Sequence, residues 1–166
     1  MPEFFDRYIN LVDDVPLVEA LVQSSGLFEP VLPQLEALGD TVYAPGKWTV
    51  RDILQHCIDT ERIQAYRALR FARNDRTALP GFDEELFARN TTATDRTIPD
   101  LQDEFSLVRA TTVRLFTGFT DNMLRREGTC FGRQISVLAL GFVIVGHPIH
   151  HLDILRERYF PLISSL

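Results

Sequence analysis

Histidine is scarce in this chain and unevenly placed. Of its four histidines, three fall within the run Gly146-His147-Pro148-Ile149-His150-His151, and the fourth is His56. On an α-helix, His147 and His151 sit one turn apart and project from the same face, with Cβ atoms about 5–6 Å apart. That spacing lets one helix offer two imidazoles to a single metal ion, as the zinc-binding H-E-x-x-H helix does. No glutamate stands at the second position here, so the metalloprotease chemistry of that motif is excluded. Two imidazoles alone hold a divalent ion weakly, and His56 is the only other histidine able to complete the set. His56, His147 and His151 are therefore the candidate metal ligands. Three protein donors leave a position for water or substrate, the arrangement of catalytic rather than structural metal sites. His150 lies about 100° around the helix from His151 and reads as a surface or outer-sphere residue. The competing reading is structural, because H-x-x-x-H pairs also arise by chance and a histidine on an apolar face is usually a satisfied core residue.

Pro148 complicates the pair. It has no N–H to give the carbonyl of Ile144 and predicts a kink in the helix. Such a kink either spoils the spacing of the two imidazoles or tilts His147 towards the site. Weaker candidates share the face of His56: Thr60 and Arg67 follow it by four and eleven residues. They read as anchors for an anionic substrate or as edge-of-core packing with a snorkelling arginine. Cys57 points about 100° away from His56, which argues for a small core residue rather than a Cys-His pair. Asp83 and Glu84 belong to a long irregular stretch and read either as the mouth of the site or as a solvated acidic loop.

The elements that must position these residues are helical. Residues 15–39 carry apolar side chains at helical spacing, interrupted by Ser24-Ser25-Gly26, Pro30 and Pro33, so a bend or two shorter pieces are expected. Pro45-Gly46 marks a turn. Thr49 with Asp52 three residues on is a capping-box start for a helix over residues 50–74, with Ile53, Cys57, Thr60 and Ile63 on its inner side. Residues 75–98 read as a long loop, of the kind usually functional or mobile. The stripe Leu101, Phe105, Val108, Thr112, Leu115, Phe116 and Phe119 predicts a helix over 99–119. A second irregular stretch containing Gly128 and Gly132 leads to a last helix over 134–159. No strand pattern of comparable strength is present. Four long helices with connections of mixed length predict an all-α helix bundle.

Composition narrows the function. A chain of 166 residues, 45% hydrophobic and 24% charged, is expected to form a single domain over 1–166. Its net charge of −6 argues against nucleic-acid binding, which needs a basic face. Two cysteines, Cys57 and Cys130, outside any C-x-x-C pair exclude a disulfide scaffold and a zinc ribbon. Residues 1–8 carry Glu3 and Asp6 and do not read as a signal peptide. The longest apolar run, residues 135–145, is shorter than the roughly 20 residues needed to span a bilayer. A cytoplasmic protein without membrane partners is the expectation.

The segment Tyr43-Ala-Pro-Gly-Lys-Trp-Thr-Val-Arg-Asp-Ile-Leu-Gln-His56 resembles the signature of the DinB/YfiT-like superfamily of metal-dependent enzymes, which is unrelated to the DNA polymerase called DinB. The resemblance continues through Asp59-Thr-Glu-Arg62, Tyr66-Arg-Ala-Leu-Arg70, Leu79-Pro-Gly-Phe-Asp83 and Gly146-His-Pro-Ile-His-His151, covering about residues 42–160. It implies an up-down-down-up four-helix bundle. It also implies a divalent metal, commonly nickel or zinc, held by one histidine of the second helix and an H-x-x-x-H pair of the last: His56, His147 and His151. Proline at 148 departs from the family's usual helix-compatible residue. Relatives include thiol S-transferases that use low-molecular-weight thiols such as bacillithiol, and a mycothiol-dependent maleylpyruvate isomerase. Many of them are homodimers. The resemblance thus implies a metal-dependent transferase or hydrolase acting on a small molecule. The alternative is a non-enzymatic binding or stress-response protein that keeps the histidines as structure.

Overall fold

The computed structural model describes residues 5–165. Glu3, used above in reading the N-terminus, lies outside them. The helices are α1 (Asp6–Ile9), α2 (Leu17–Gln23), α3 (Leu32–Leu38), α4 (Val50–Ala72), α5 (Glu84–Arg89), α6 (Ile98–Thr117), α7 (Asp121–Leu124) and α8 (Val137–Ile154). The long ones begin where side-chain oxygens satisfy free backbone N–H groups. Thr49 and Asp52 form the expected capping box of α4. Thr97 caps α6, and Ser136 accepts from Ala139 N at 3.1 Å to start α8. The first bundle helix is broken as its prolines predict, into α2 and α3 joined by two single-turn 3-10 segments.

Contacts between ends give the helix directions. Arg51, early in α4, donates to the carbonyl of Arg96 just before α6 at 2.8 Å, and mid-helix Glu61 meets mid-helix Arg109. These two helices therefore run parallel. His56, early in α4, meets His147 and His151 late in α8, so α8 runs against both. Leu17 and Phe116 crowd Gly141 at one end of the bundle, while Phe28 packs edge-on to Phe105 at the other. The α2–α3 helix is thus antiparallel to α6, and the order is up-down-down-up, as expected. Around the bundle, α4 and α2 each pack against both α6 and α8.

The sequence reading missed a β-hairpin. Strands β1 (Glu127–Cys130) and β2 (Arg133–Ser136) pair antiparallel around Phe131 and Gly132, whose φ angles of 54° and 69° are both positive, as a primed two-residue hairpin turn requires. The hairpin clamps the end of α4 and the start of the long connection. Leu79 donates to Thr129 O at 2.9 Å and accepts from Phe131 N at 3.2 Å. That connection is also more ordered than a plain loop, since it contains α5 and a 3-10 turn at Ala93–Asp95.

The core is two apolar clusters rather than one. One gathers Leu17, Leu21, Phe71, Phe116, Leu140 and Ile144; the other gathers Phe28, Leu35, Leu54, Phe105, Leu155 and Tyr159. Between them each bundle helix contributes buried polar residues: Ser24, then His56, Thr60, Glu61 and Gln64, then Arg109 and Thr112, then His147. Two of the candidate metal ligands, His56 and His147, belong to this set of buried polar residues.

Helix α8 and the turns after it, Val137–Ser164, are long and apolar enough by length and composition to cross a membrane, with 56% of the most apolar stretch buried within the fold. The run is longer than the apolar segment read from the sequence, and α8 packs against α1, α2 and α4. Helix α1 comes so close that a Cβ added at Gly146 would lie 2.0 Å from the carbonyl oxygen of Tyr8. Gly146→Ala is therefore expected to push α1 off α8 at a cost of about 1–3 kcal/mol. A thermal melt should show a fall of roughly 2–12 °C. An unchanged melting temperature would refute this account of the close crossing.

Candidate metal centre

Helix α4 brings in His56 from its first third, and α8 brings in His147 and His151 from one face. Their Nε2 atoms converge: His56 to His147 at 3.0 Å, and His151 to His147 at 3.2 Å. The three ligand atoms all lie within 4.8 Å of one another. Two nitrogens each about 2.0–2.1 Å from a shared ion at near-tetrahedral or octahedral angles stand roughly 2.9–3.4 Å apart, so the two short separations fit a common ion. Donor chemistry agrees, because neutral imidazole is a good ligand for first-row divalent metals. His56 and His147 are buried and His151 is nearly so.

Burial decides their protonation. Loss of solvation lowers the His56 pKa to about 4 and the His151 pKa, with the neighbouring His56 and His150 adding to the effect, to about 3. His147 is depressed too, by burial first and then by its histidine neighbours. All three are thus neutral at pH 7 and have lone pairs to donate. Aromatic rings hold them in place. Trp48 lies against His56 with ring centroids 4.8 Å apart, and Tyr8 meets His147 edge-on at 5.3 Å. His150 is only partly buried and packs on the same tyrosine at 5.5 Å, beside the ligand set.

Pro148 breaks neither the helix nor the spacing, because α8 is continuous across it. The carbonyl of Ile144, deprived of its usual donor by the proline, accepts from Arg109 Nη2 at 3.2 Å. Arg109 is fully buried and forms a fork with Glu61, with Nε–Oε1 at 2.9 Å and Nη2–Oε2 at 2.8 Å. It also donates to the Ser24 hydroxyl. One guanidinium therefore ties all four bundle helices together, one turn from His147. An arginine inside the apolar stripe of α6, four residues after Phe105 and seven before Phe116, was the available sequence signal.

The structure separates the two weaker candidates. Thr60 is buried one turn beyond His56, and its hydroxyl has no hydrogen-bond partner among the described residues. Arg67 shares that face, but eleven residues of helix put it about 16 Å along the axis. Its guanidinium donates to Gln64 Oε1 at 3.2 Å and to Pro80 O at 2.7 Å. It braces the long connection instead of reaching the histidines. Cys57 is buried, and burial pushes its thiol pKa up, so it is unsuited to act as a nucleophile. Asp83 serves as the N-cap of α5, accepting from Leu86 N at 2.9 Å. Glu84 lines a crevice of about 10 Å³ with His56 and Asp59, room for one water at most. Loss of solvation raises the Glu84 pKa, with Arg7 opposing.

Against His151 opens a cavity of about 200 Å³, lined by Tyr43, Lys47, Trp48, Glu85, His151 and Tyr159 among others. Trp48 Nε1 donates to Glu85 Oε2 at 3.3 Å, and the Tyr159 hydroxyl donates to the Trp48 carbonyl at 2.6 Å. The sequence reading did not assign this aromatic chamber.

Fold and site together define a four-helix bundle that carries three convergent, neutral imidazoles between two of its helices. Such a chain has relatives. The DinB superfamily matches residues 9–155, and the protein belongs to that superfamily. Among solved structures it is similar to YfiT from Bacillus subtilis, described as "a probable metal-dependent hydrolase with an unusual four-helix bundle topology". The two are 18% identical, with 93% of this chain and 87% of that one covered and a TM-score of 0.66. No curated protein matches the chain.

Proposed function

We propose that this protein is a divalent-metal-dependent enzyme of the hydrolase type, with thiol transfer as the finer alternative, acting on a small molecule as a cytoplasmic homodimer without nucleic-acid or membrane partners. The observation that carries the reading is the convergence of His56, His147 and His151, with neighbouring Nε2 atoms 3.0 and 3.2 Å apart. Nickel or zinc suits three imidazoles. When bound, such an ion supplies Lewis acidity, polarising a substrate carbonyl or acidifying a water or a thiol. The chain's own contribution is preorganisation. Burial keeps the three imidazoles unprotonated, and Trp48 and Tyr8 fix the rings of His56 and His147. Glu84, in the crevice beside His56, is a carboxylate able to take a proton from an incoming nucleophile. A low-molecular-weight thiol and a water need the same three ligands, so hydrolysis and thiol transfer differ in the substrate chamber. The alternative class is a binding or stress-response protein in which the histidines are only structure.

Titration settles the class. The chain's single tryptophan, Trp48, lies against a candidate ligand, so nickel added to metal-free protein is expected to quench its fluorescence saturably at one equivalent. At a hundred times Kd the ion should raise stability by about 2.7 kcal/mol, or roughly 5–11 °C in melting temperature. Absence of any shift on adding nickel or zinc, or on chelation, would favour the structural alternative. Hydrolysis and thiol conjugation are then separated by assaying the loaded protein on ester, amide and electrophile panels, with and without thiols.

A further inference from the structure

The aromatic chamber beside His151 carries more information than its proximity to the histidines. Its walls are Tyr43, Trp48 and Tyr159 with Ile53 and Ile154, and Tyr43 and Tyr159 stand edge-to-face at 5.1 Å. The polar ends of these walls are already engaged. The Tyr159 hydroxyl is spent on the Trp48 carbonyl, and the Tyr43 hydroxyl accepts from Arg158 Nη1 at 3.2 Å. Apart from Lys47, Glu85 and His151, the lining side chains present ring and aliphatic surface. The volume of about 200 Å³ is roughly seven waters' share of liquid, below the range of drug-sized sites. A compact, flat or short apolar body fits.

Two cations stand at Tyr43, against one carboxylate in the lining, Glu85, in a chain whose net charge is −6. Lys47 lines the chamber with its ammonium 5.9 Å from the Tyr43 ring centre. The Arg158 guanidinium stands 5.4 Å from the same centre. Among the described residues neither cation is in an ion pair with a carboxylate, whereas Arg51, Arg62, Arg70, Arg96, Arg109 and Arg156 all are. Glu85, the acidic side chain of the chamber, is held by the Trp48 indole N–H. An aromatic box can also take an organic cation, but here such a guest would meet two resident positive charges at Tyr43. Lys47 is exposed and His151 largely buried, so the chamber runs from solvent to the histidines.

We infer that this chamber binds a small organic carboxylate, its anionic end at Lys47 and Arg158 and its apolar body against Tyr43, Trp48 and Tyr159, so that its far end faces His151. As the substrate site of the proposed enzyme this rests on the metal-dependent reading; as a binding site it does not. It also relocates the anion-binding role considered for Arg67, which is committed to Gln64 and Pro80.

Trp48 reports both events. Benzoate, benzyl alcohol and benzyltrimethylammonium are titrated at constant ionic strength into the full chain, with and without nickel. Benzoate should perturb Trp48 fluorescence saturably, and the neutral and cationic analogues should bind about fivefold more weakly or not at all. The Lys47→Gln, Arg158→Gln double variant should lose about the same factor for benzoate while titrating with nickel as the parent does. Equal binding of the three probes, no benzoate effect, or an unchanged benzoate affinity in the double variant overturns the inference. Nickel binding without benzoate binding rejects the chamber alone; benzoate binding without nickel binding rejects the metal-dependent reading alone.

Discussion

Glu61→Ala is expected to lower stability by about 3–5 kcal/mol, because it leaves the Arg109 guanidinium buried without a counter-charge. For a chain of this size that is a fall of roughly 6–20 °C in melting temperature. Arg109 has no exposed surface, so water cannot take over from Glu61. Its remaining acceptors, the Ser24 hydroxyl and the Ile144 carbonyl, are neutral. Both ends of the fork come from parallel helices at the same height, and the third contact reaches the carbonyl that Pro148 leaves free. Losing the carboxylate therefore disturbs α4, α6 and the part of α8 that carries His147. The double variant Glu61→Leu, Arg109→Met should recover most of the loss, since a buried ion pair replaced by apolar residues of similar volume is often neutral or better. If the single variant melts within 2 °C of the parent, a threshold set by a loss of under about 1 kcal/mol, the buried-charge account of the polar layer is wrong. If the double variant is restored in stability but weakened in nickel binding, the network's chief role is to place His147.

How much of this was legible in the sequence depended on what a periodic pattern can encode. The α6 stripe was readable because Leu101, Phe105, Val108, Thr112 and Phe116 recur at helical spacing and are all buried. The same pattern could not flag Arg109, since a charged residue within a stripe reads as an exception until its partner is known. On α4 the inner side was drawn too narrowly around Ile53, Cys57, Thr60 and Ile63, and the last of these is only half-buried. Leu54, Ile58, Glu61, Gln64 and Phe71 are buried as well, because α6 and α8 flank the helix on two sides. Face-sharing misled on Arg67, for angle around a helix says nothing about distance along it. The hairpin left no alternation to read in Glu127-Gly-Thr-Cys130 or Arg133-Gln-Ile-Ser136, and its turn places a phenylalanine where Asn-Gly would have signalled it. The histidine cluster was legible in half: spacing joined His147 to His151, but only the fold, or the resemblance, brings His56 across 91 residues of chain to meet them. The aromatic chamber was out of reach, because it is assembled from the turn before α4, from α5 and from the turn after α8.

His147→Ala is expected to weaken divalent-metal binding by more than about 100-fold, since loss of an outer partner of a ligand alone costs 10–100-fold. His147 is the shared neighbour in both short contacts, so its removal leaves His56 and His151 without the nitrogen that bridges them. The same cluster makes the metal-free protein acid-sensitive, with a sign fixed by burial. The folded-state pKa values of His56 and His151 lie near 4 and 3, below the usual histidine value near 6.5. Between those limits the unfolded chain binds more protons than the folded one, so stability rises with pH. The histidine contribution is complete above about pH 6.5 and is lost progressively as pH falls towards 4. Neutral imidazoles also persist to lower pH than exposed ones, so metal should remain bound well below pH 6.5. Carboxylates add to the acid response: burial shifts Glu84 and Asp59 up, whereas Glu104, paired with Arg96 and Arg62, is shifted down. Both proteins carry these carboxylates, so their effects cancel in the comparison with the variant. Melting temperature plotted against pH should be less steep between 4 and 6.5 in metal-free His147→Ala than in the parent, because one depressed histidine is gone. Parallel curves would show that His147 is as protonatable in the fold as in the unfolded chain, which a buried ligand of a neutral three-imidazole site cannot be.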